Sequence, residues 1–134
     1  MRTFIDAPLL TTLMVTLVAG ATVSAKPERA PVRVEFSAPA PIATGEEATT
    51  VITFRALADI DRLEVTVAPF KGLELLSETK EAVFTGITKG EGRTITVTIR
   101  LGDAPYGYLS VVYRTQRGNN QDSGATNVIY SNSR

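Results

Sequence analysis

The sequence, 134 residues long, contains no cysteine, no histidine and no tryptophan. Without cysteine no disulfide can close the fold, so stability must come from apolar burial and strand pairing. The same absence excludes a lipid anchor, because no cysteine follows the N-terminal leader to be acylated. Without histidine, the base that most often activates a serine or cysteine nucleophile is missing, and hydrolysis by the common triad chemistry is closed. Charge of one sign is also lacking: 14 Lys and Arg balance 14 Asp and Glu. Arg2 and Asp6 would leave together with a leader, so the remainder stays neutral and carries no long-range field for phosphate backbones or anionic lipid. Nucleic acid is therefore not an expected partner.

What is present begins with an export signature. Met1 and Arg2 give a positive start, residues 9–21 form an apolar run, and Val23-Ser24-Ala25 places small residues at a cleavage position. Residues 1–25 read as a signal peptide cut after Ala25; Asp6 departs from the pattern by offsetting Arg2. The apolar stretch from Ala7 to Ala25 is just long enough to span a bilayer if uncut, given that a span needs ~20 residues, and membrane attachment is expected only in that case. In either state the domain is exported, periplasmic or extracellular, and a bacterial source is expected.

Residues 26–31 contain Pro27 and Pro31 and read as a linker, leaving 32–134 as one domain of a size usual for a single core. Val, Thr and Ile dominate it, with Gly and Pro gathered between apolar runs. Alternation predicts eight strands, near 32–36, 49–56, 62–68, 73–77, 82–85, 94–101, 109–114 and 125–131. Ile52 and Phe54 share one face of the second, Leu63, Val65 and Val67 one face of the third, and Ile95, Val97, Ile99 and Leu101 one face of the sixth. Strands apolar on one face and polar on the other belong to an all-β, antiparallel two-sheet sandwich of the immunoglobulin-like kind, with about seven or eight strands.

An internal echo supports this order. Residues 42–55 align without gaps on residues 87–100, repeating Ile, Gly-Glu, Thr, Thr and Arg in step. Each copy is a Gly-Glu turn delivering the chain into a Thr-rich, half-buried strand, and in an immunoglobulin-like order the two would be neighbours in one sheet. The run from Phe84 to Ile99, with Ala48 to Phe54 and Gly72-Leu73-Glu74-Leu75, resembles bacterial extracellular immunoglobulin-like modules related to the cell-adhesion-related (CARDB-type) domain. That resemblance implies the sandwich fold and a spacer or binding role, and it supplies no catalytic residues.

Candidate sites divide between functional and purely structural readings. Asp59-Ile60-Asp61 offers two carboxylates for Ca²⁺ or for acid–base chemistry, against the plain reading of ordinary turn acids; Glu74 with Glu78 is a second such carboxylate pair. No full metal-ligand set or cofactor motif is present. The polar stretch 117–124 reads as the longest loop, and Arg117, Asn119, Asn120 and Asp122 are its candidate partner-binding residues; a flexible hairpin connection is the alternative. Tyr106 and Tyr108 are either a buried tyrosine corner or an exposed aromatic pair for protein or sugar contact. The outer face carrying Thr53, Arg55, Thr96, Thr98 and Arg100 reads as a solvated sheet or a contact surface. The expected function is a non-catalytic exported domain that binds an envelope or extracellular protein. A carbohydrate- or calcium-dependent binding module is the alternative, and a small hydrolase or hydrolase inhibitor fits the residue inventory least. An edge strand, either the first or the one ending near Tyr130, could add to a partner's sheet.

Overall fold

The computed structural model describes residues 22–24 and 30–134 apart from Thr79, and among the described residues there are nine strands, most of them with period-2 burial. They are β1 Thr22–Ser24, β2 Val32–Ser37, β3 Glu47–Ala56, β4 Ile60–Lys71, β5 Leu73–Leu75, β6 Glu81–Ile87, β7 Gly92–Leu101, β8 Tyr106–Arg117 and β9 Asn120–Ser131. All strand pairs are antiparallel, in two sheets ordered β1-β2-β3-β7-β5 and β6-β4-β8-β9. The domain is an all-β immunoglobulin-like sandwich, as the alternation requires. Apart from β1, the expected leader and most of the expected linker lie outside the described residues. Ala30, assigned to the linker, is instead buried in the core, and the Pro31 carbonyl accepts the Leu57 N–H at 2.8 Å.

Inward residues meet between the sheets. Val34, Ile52, Phe54, Val97, Ile99 and Leu101 come from one, Leu63, Val65, Leu109, Val111, Tyr113 and Val128 from the other. Every face assigned from sequence to β3, β4 and β7 is the face that is buried, with Ile95 at the half-buried rim. The chain passes between sheets at Lys71, which takes a φ of 62°, and Gly72, so that β5 joins β7 rather than β4. β5 stops at Leu75 because the Ser77 hydroxyl, not a strand backbone, accepts the Thr98 N–H at 2.6 Å.

The echo becomes a local two-fold. β3 and β7 pair from Glu47↔Arg100 to Arg55↔Gly92, and the equivalent residues Val51 and Thr96 stand directly opposite each other at the centre. The two turns match atom for atom. Glu46 Oε1 accepts the Ala43 N–H and Glu91 Oε1 the Thr88 N–H, both at 2.8 Å. Gly45 and Gly90, with φ of 82° and 92°, donate to the carbonyls that end the opposite strands, Leu101 at 2.7 Å and Ala56 at 2.8 Å. One local solution to starting a strand is thus used twice, once at each end of the same ladder.

Candidate interaction surface

β8 is the strand that organises the surface. Its odd residues from Gly107 to Thr115 are buried, so Tyr106, Tyr108, Ser110, Val112 and Arg114 face outward. The register sets Tyr108 between Phe70 of β4 and Ile129 of β9, making one cross-strand apolar row. The Phe70 and Tyr108 rings stack with centroids 5.2 Å apart and planes 15° from parallel. Phe70 is 46% exposed and Ile129 56%, large values for side chains of this size in a sheet. Tyr106 extends the row at the strand's start.

These tyrosines do not form a buried corner: among the described residues neither hydroxyl makes a hydrogen bond. Tyr106 is exposed and Tyr108 half-buried on the outer face. Tyr130 is buried with its hydroxyl bonded, its Oη lying 2.8 Å from Thr50 Oγ1 across the sandwich. Burial drives its pKa upward, partly offset by the Thr50 hydrogen bond. Phe70 could have been found from the sequence only if β4 had been carried past Pro69, a residue that normally ends a strand. The proline is tolerated because Val67 N already reaches the last carbonyl on that side, Lys80 O at 2.9 Å; the Pro69 nitrogen points the same way, beyond the end of β6.

The expected partner-binding loop is not a loop. β8 and β9 stay paired through Arg117↔Asn120, leaving a two-residue turn at Gly118-Asn119. Gly118 has a φ of 57° and Asn119 does not, the signs of a II′ hairpin turn that follows the twist of the strands. Asp122 is a strand residue opposite Thr115, and Arg117 and Asn120 close the ladder. The aromatic row and this hairpin tip lie about 30 Å apart along β8, at ~3.3 Å per residue, so they are separate surfaces.

Of the acidic candidates, Asp59 and Asp61 are occupied by backbone. Asp59 Oδ1 accepts the Lys89 N–H at 2.8 Å and Asp61 Oδ2 the Gly118 N–H at 2.7 Å, so each carboxylate fastens a different turn. Glu74 faces Arg100, which also meets Glu47 at 3.0 Å. Among the described residues no group of three or more acidic side chains is placed to hold a metal ion. Asp61→Ala is expected to lower unfolding free energy by about 1 kcal/mol, the usual worth of one such bond, in urea denaturation. Millimolar calcium is expected to leave the melting temperature of the wild type unchanged; a rise that Asp61→Ala abolishes would restore the calcium site. The outer threonine face is likewise engaged within its own sheet, with Thr49 and Thr98 hydroxyls at 3.3 Å and Thr53 and Thr94 at 3.5 Å.

No protein-family model matches the sequence, and neither does any curated protein. Solved structures do match. A fragment of Escherichia coli α2-macroglobulin running from its domain MG7 to the C-terminus aligns with a TM-score of 0.64 and 19% identity, covering 76% of this chain and 16% of that one. This chain therefore spans about a sixth of that relative's length. The Caenorhabditis elegans MSP family member WR4 aligns at a TM-score of 0.51 with 15% identity, covering 78% of this chain and all of that one. One chain of the human seminal-plasma complex between zinc α2-glycoprotein and prolactin-inducible protein aligns at 0.53 with 10% identity, covering 80% and 97%. At these identities the shared property is the immunoglobulin-like sandwich.

Proposed function

We propose that the chain is a non-catalytic, exported immunoglobulin-like module that acts by contact with another protein in the bacterial envelope or outside it. The observation that carries this reading is the row Phe70–Tyr108–Ile129 with Tyr106, an exposed apolar strip on the outer face of a sheet whose other large exposed apolar side chains are Val83 and Val112. Arg62, Glu64 and Arg114 occupy the same face beyond Val112, with Glu64 within 2.7 Å of Arg62 and 3.6 Å of Arg114, so the strip has a charged border. Aromatic side chains rimmed by polar ones are the usual composition of a binding patch, because they bury much area at little entropic cost. The absence of histidine and cysteine and the occupation of Asp59, Asp61 and Glu74 favour binding over catalysis. Neighbours that match over nearly their whole length are compatible with a sandwich of this size standing alone, and one of them comes from a two-protein complex. Kinship with the cell-adhesion-related modules is kept as part of this reading, on the residues quoted for it.

A photo-crosslinking amino acid placed at Tyr106 or Ile129 tests the patch in cells. A protein adduct at both positions, missing from a probe at Thr96 on the other sheet and reduced by Phe70→Ser, is the expected result. Neither probe giving an adduct in envelope or medium would remove the reading. Stacked aromatics also suit a sugar ring, and binding to a glycan array that Tyr108→Ser abolishes would move the assignment to carbohydrate. Phe70→Ser and Tyr108→Ser sit on the outer face and are expected to leave the domain folded, as circular dichroism would show.

A further inference from the structure

β2 is paired with β3 along Val32–Glu35, and among the described residues its other edge is covered only by β1, through Thr22↔Ser37, Val23↔Phe36 and Ser24↔Glu35. The ladder's parity fixes which groups that edge presents. Leu57 N donates to Pro31 O, while Ala56, opposite Val32, sends its N–H and C=O to the turn before β7, at Glu91 O and Gly90 N. Antiparallel alternation then turns the backbone of Arg33 and Glu35 toward β3 and that of Val34 and Phe36 outward. β1 meets the outward groups at Phe36, and it is made of the residues that lead into the expected cleavage after Ala25. A cut there takes β1 away and leaves a short edge that no other described strand pairs with.

That edge is complementary to itself. Two β2 strands paired antiparallel about Val34 set Arg33 of each copy opposite Glu35 of the other on the outer face, and Val32 opposite Phe36 on the inner. Arg33 needs such a neighbour: it stands opposite Arg55 within its own sheet, and among the described residues the carboxylate they share, Glu35, lies at 3.8 Å from Arg33 and 3.7 Å from Arg55. A second Glu35 on the open side would relieve this like-charge pair. We propose that the β2 edge joins the β2 edge of a second copy once the leader is removed, and that β1 blocks this pairing in the uncut chain. Main-chain hydrogen bonds at Val34 and Phe36 supply attraction and the two Arg33–Glu35 pairs fix register.

The inference rests on the export reading only in needing the leader cut. It is tested on processed protein recovered from an exporting host, beside the full chain made without export, by sedimentation velocity across micromolar concentrations. The processed wild type is expected to dimerise and the full chain to stay monomeric. Glu35→Arg, which replaces two attractive pairs by two repulsive ones, is expected to weaken the dimer at least tenfold. Arg33→Glu with Glu35→Arg restores the complementarity and is expected to return association to within about threefold of wild type. Both positions face solvent, and a thermal melt of each variant confirms folding. A chain that keeps residues 1–25 in the exporting host, a processed protein that is monomeric at 100 micromolar (about the upper end of a specific weak dimer), or a double variant no better than Glu35→Arg would each overturn the proposal. A monomeric processed protein that still crosslinks through Tyr106 fails this inference alone and leaves the proposed function standing.

Discussion

Replacing Gly124 by valine is expected to destabilise the domain by about 3 kcal/mol, the upper part of the range for overpacking a core. Gly124 lies in β9 directly opposite Tyr113 of β8, on the buried side. A Cβ built there would stand 2.5 Å from both Cζ and Oη of Tyr113 and 2.7 Å from Cε2. The ring cannot swing outward to make room, because Tyr113 is 1% exposed and its other side meets Phe54 edge-on, with centroids 5.9 Å apart. Its backbone φ is not in the left-handed region, so the cost is one of volume alone and alanine should already show most of it, about 2 kcal/mol. For a domain of about 100 residues, 1 kcal/mol moves the melting temperature by roughly 4 °C or more, so the valine variant should melt at least 10 °C lower. Tyr113→Leu opens the same space; combined with Gly124→Ala it should cost less than the two singles added together, and strict additivity would show that the contact is not the cause. A valine variant melting within 2 °C of wild type would refute the argument.

The same contact explains why β9 was only half visible in the sequence. Strand alternation is read from apolar side chains, and 120–124 has none; the inward positions there are Asp122 and Gly124. The core side chain at that level is supplied by β8, whose tyrosine ring lies across the glycine. A polar run with Gly at both ends therefore reads as a loop, although the backbone is a hairpin closed by Gly118-Asn119. β3, β4 and β7 were legible because each fills its own part of the core: Ile52 and Phe54, Leu63 to Val67, and Val97 to Leu101 all alternate with polar partners. The echo of 42–55 in 87–100 carried tertiary information as well, since both turns place the Gly and Glu of the motif in the same bonds and the two strands are neighbours.

Half of the candidate surface was legible, for a similar reason. Tyr106 and Tyr108 stand in the sequence beside each other, but their setting is fixed by Phe70, 38 positions before Tyr108, which joins them only through register. Pro69 hides that register locally. Asp59 and Asp61 illustrate the converse: two acids flanking a single residue look like a cluster, yet Asp59 lies in the turn before β4 and Asp61 within the strand, and each binds the backbone of a different turn, at Lys89 and Gly118. Close spacing in sequence misled in one case, and a long separation concealed a contact in the other.

The Thr50–Tyr130 bond yields the second large effect. Thr50 belongs to β3 and Tyr130 to β9, so this hydrogen bond crosses between the sheets, with Tyr130 fully buried and Thr50 nearly so. Thr50→Val keeps the shape of the side chain and removes the partner of a buried hydroxyl, which should cost about 2 kcal/mol, the desolvation penalty of one unsatisfied group. Tyr130→Phe should cost about as much by stranding the threonine hydroxyl, whereas the double variant leaves nothing unpaired and should cost clearly less than the sum. pH supplies an independent reading. Burial raises the pKa of Tyr130 above its ordinary value of 10.0, so between that value and the folded one the unfolded chain releases a proton that the native state retains. The native state then binds more protons, and the slope of stability against pH is negative. Stability from this residue is whole below about pH 10 and declines as pH rises through the folded pKa. Tyr130→Phe should flatten that alkaline loss, whereas Thr50→Val, which deletes the one influence lowering the pKa, should steepen or prolong it. Chemical denaturation at pH 8 and pH 11 separates the two: a Tyr130→Phe variant that loses as much stability as wild type between them would place the titration elsewhere.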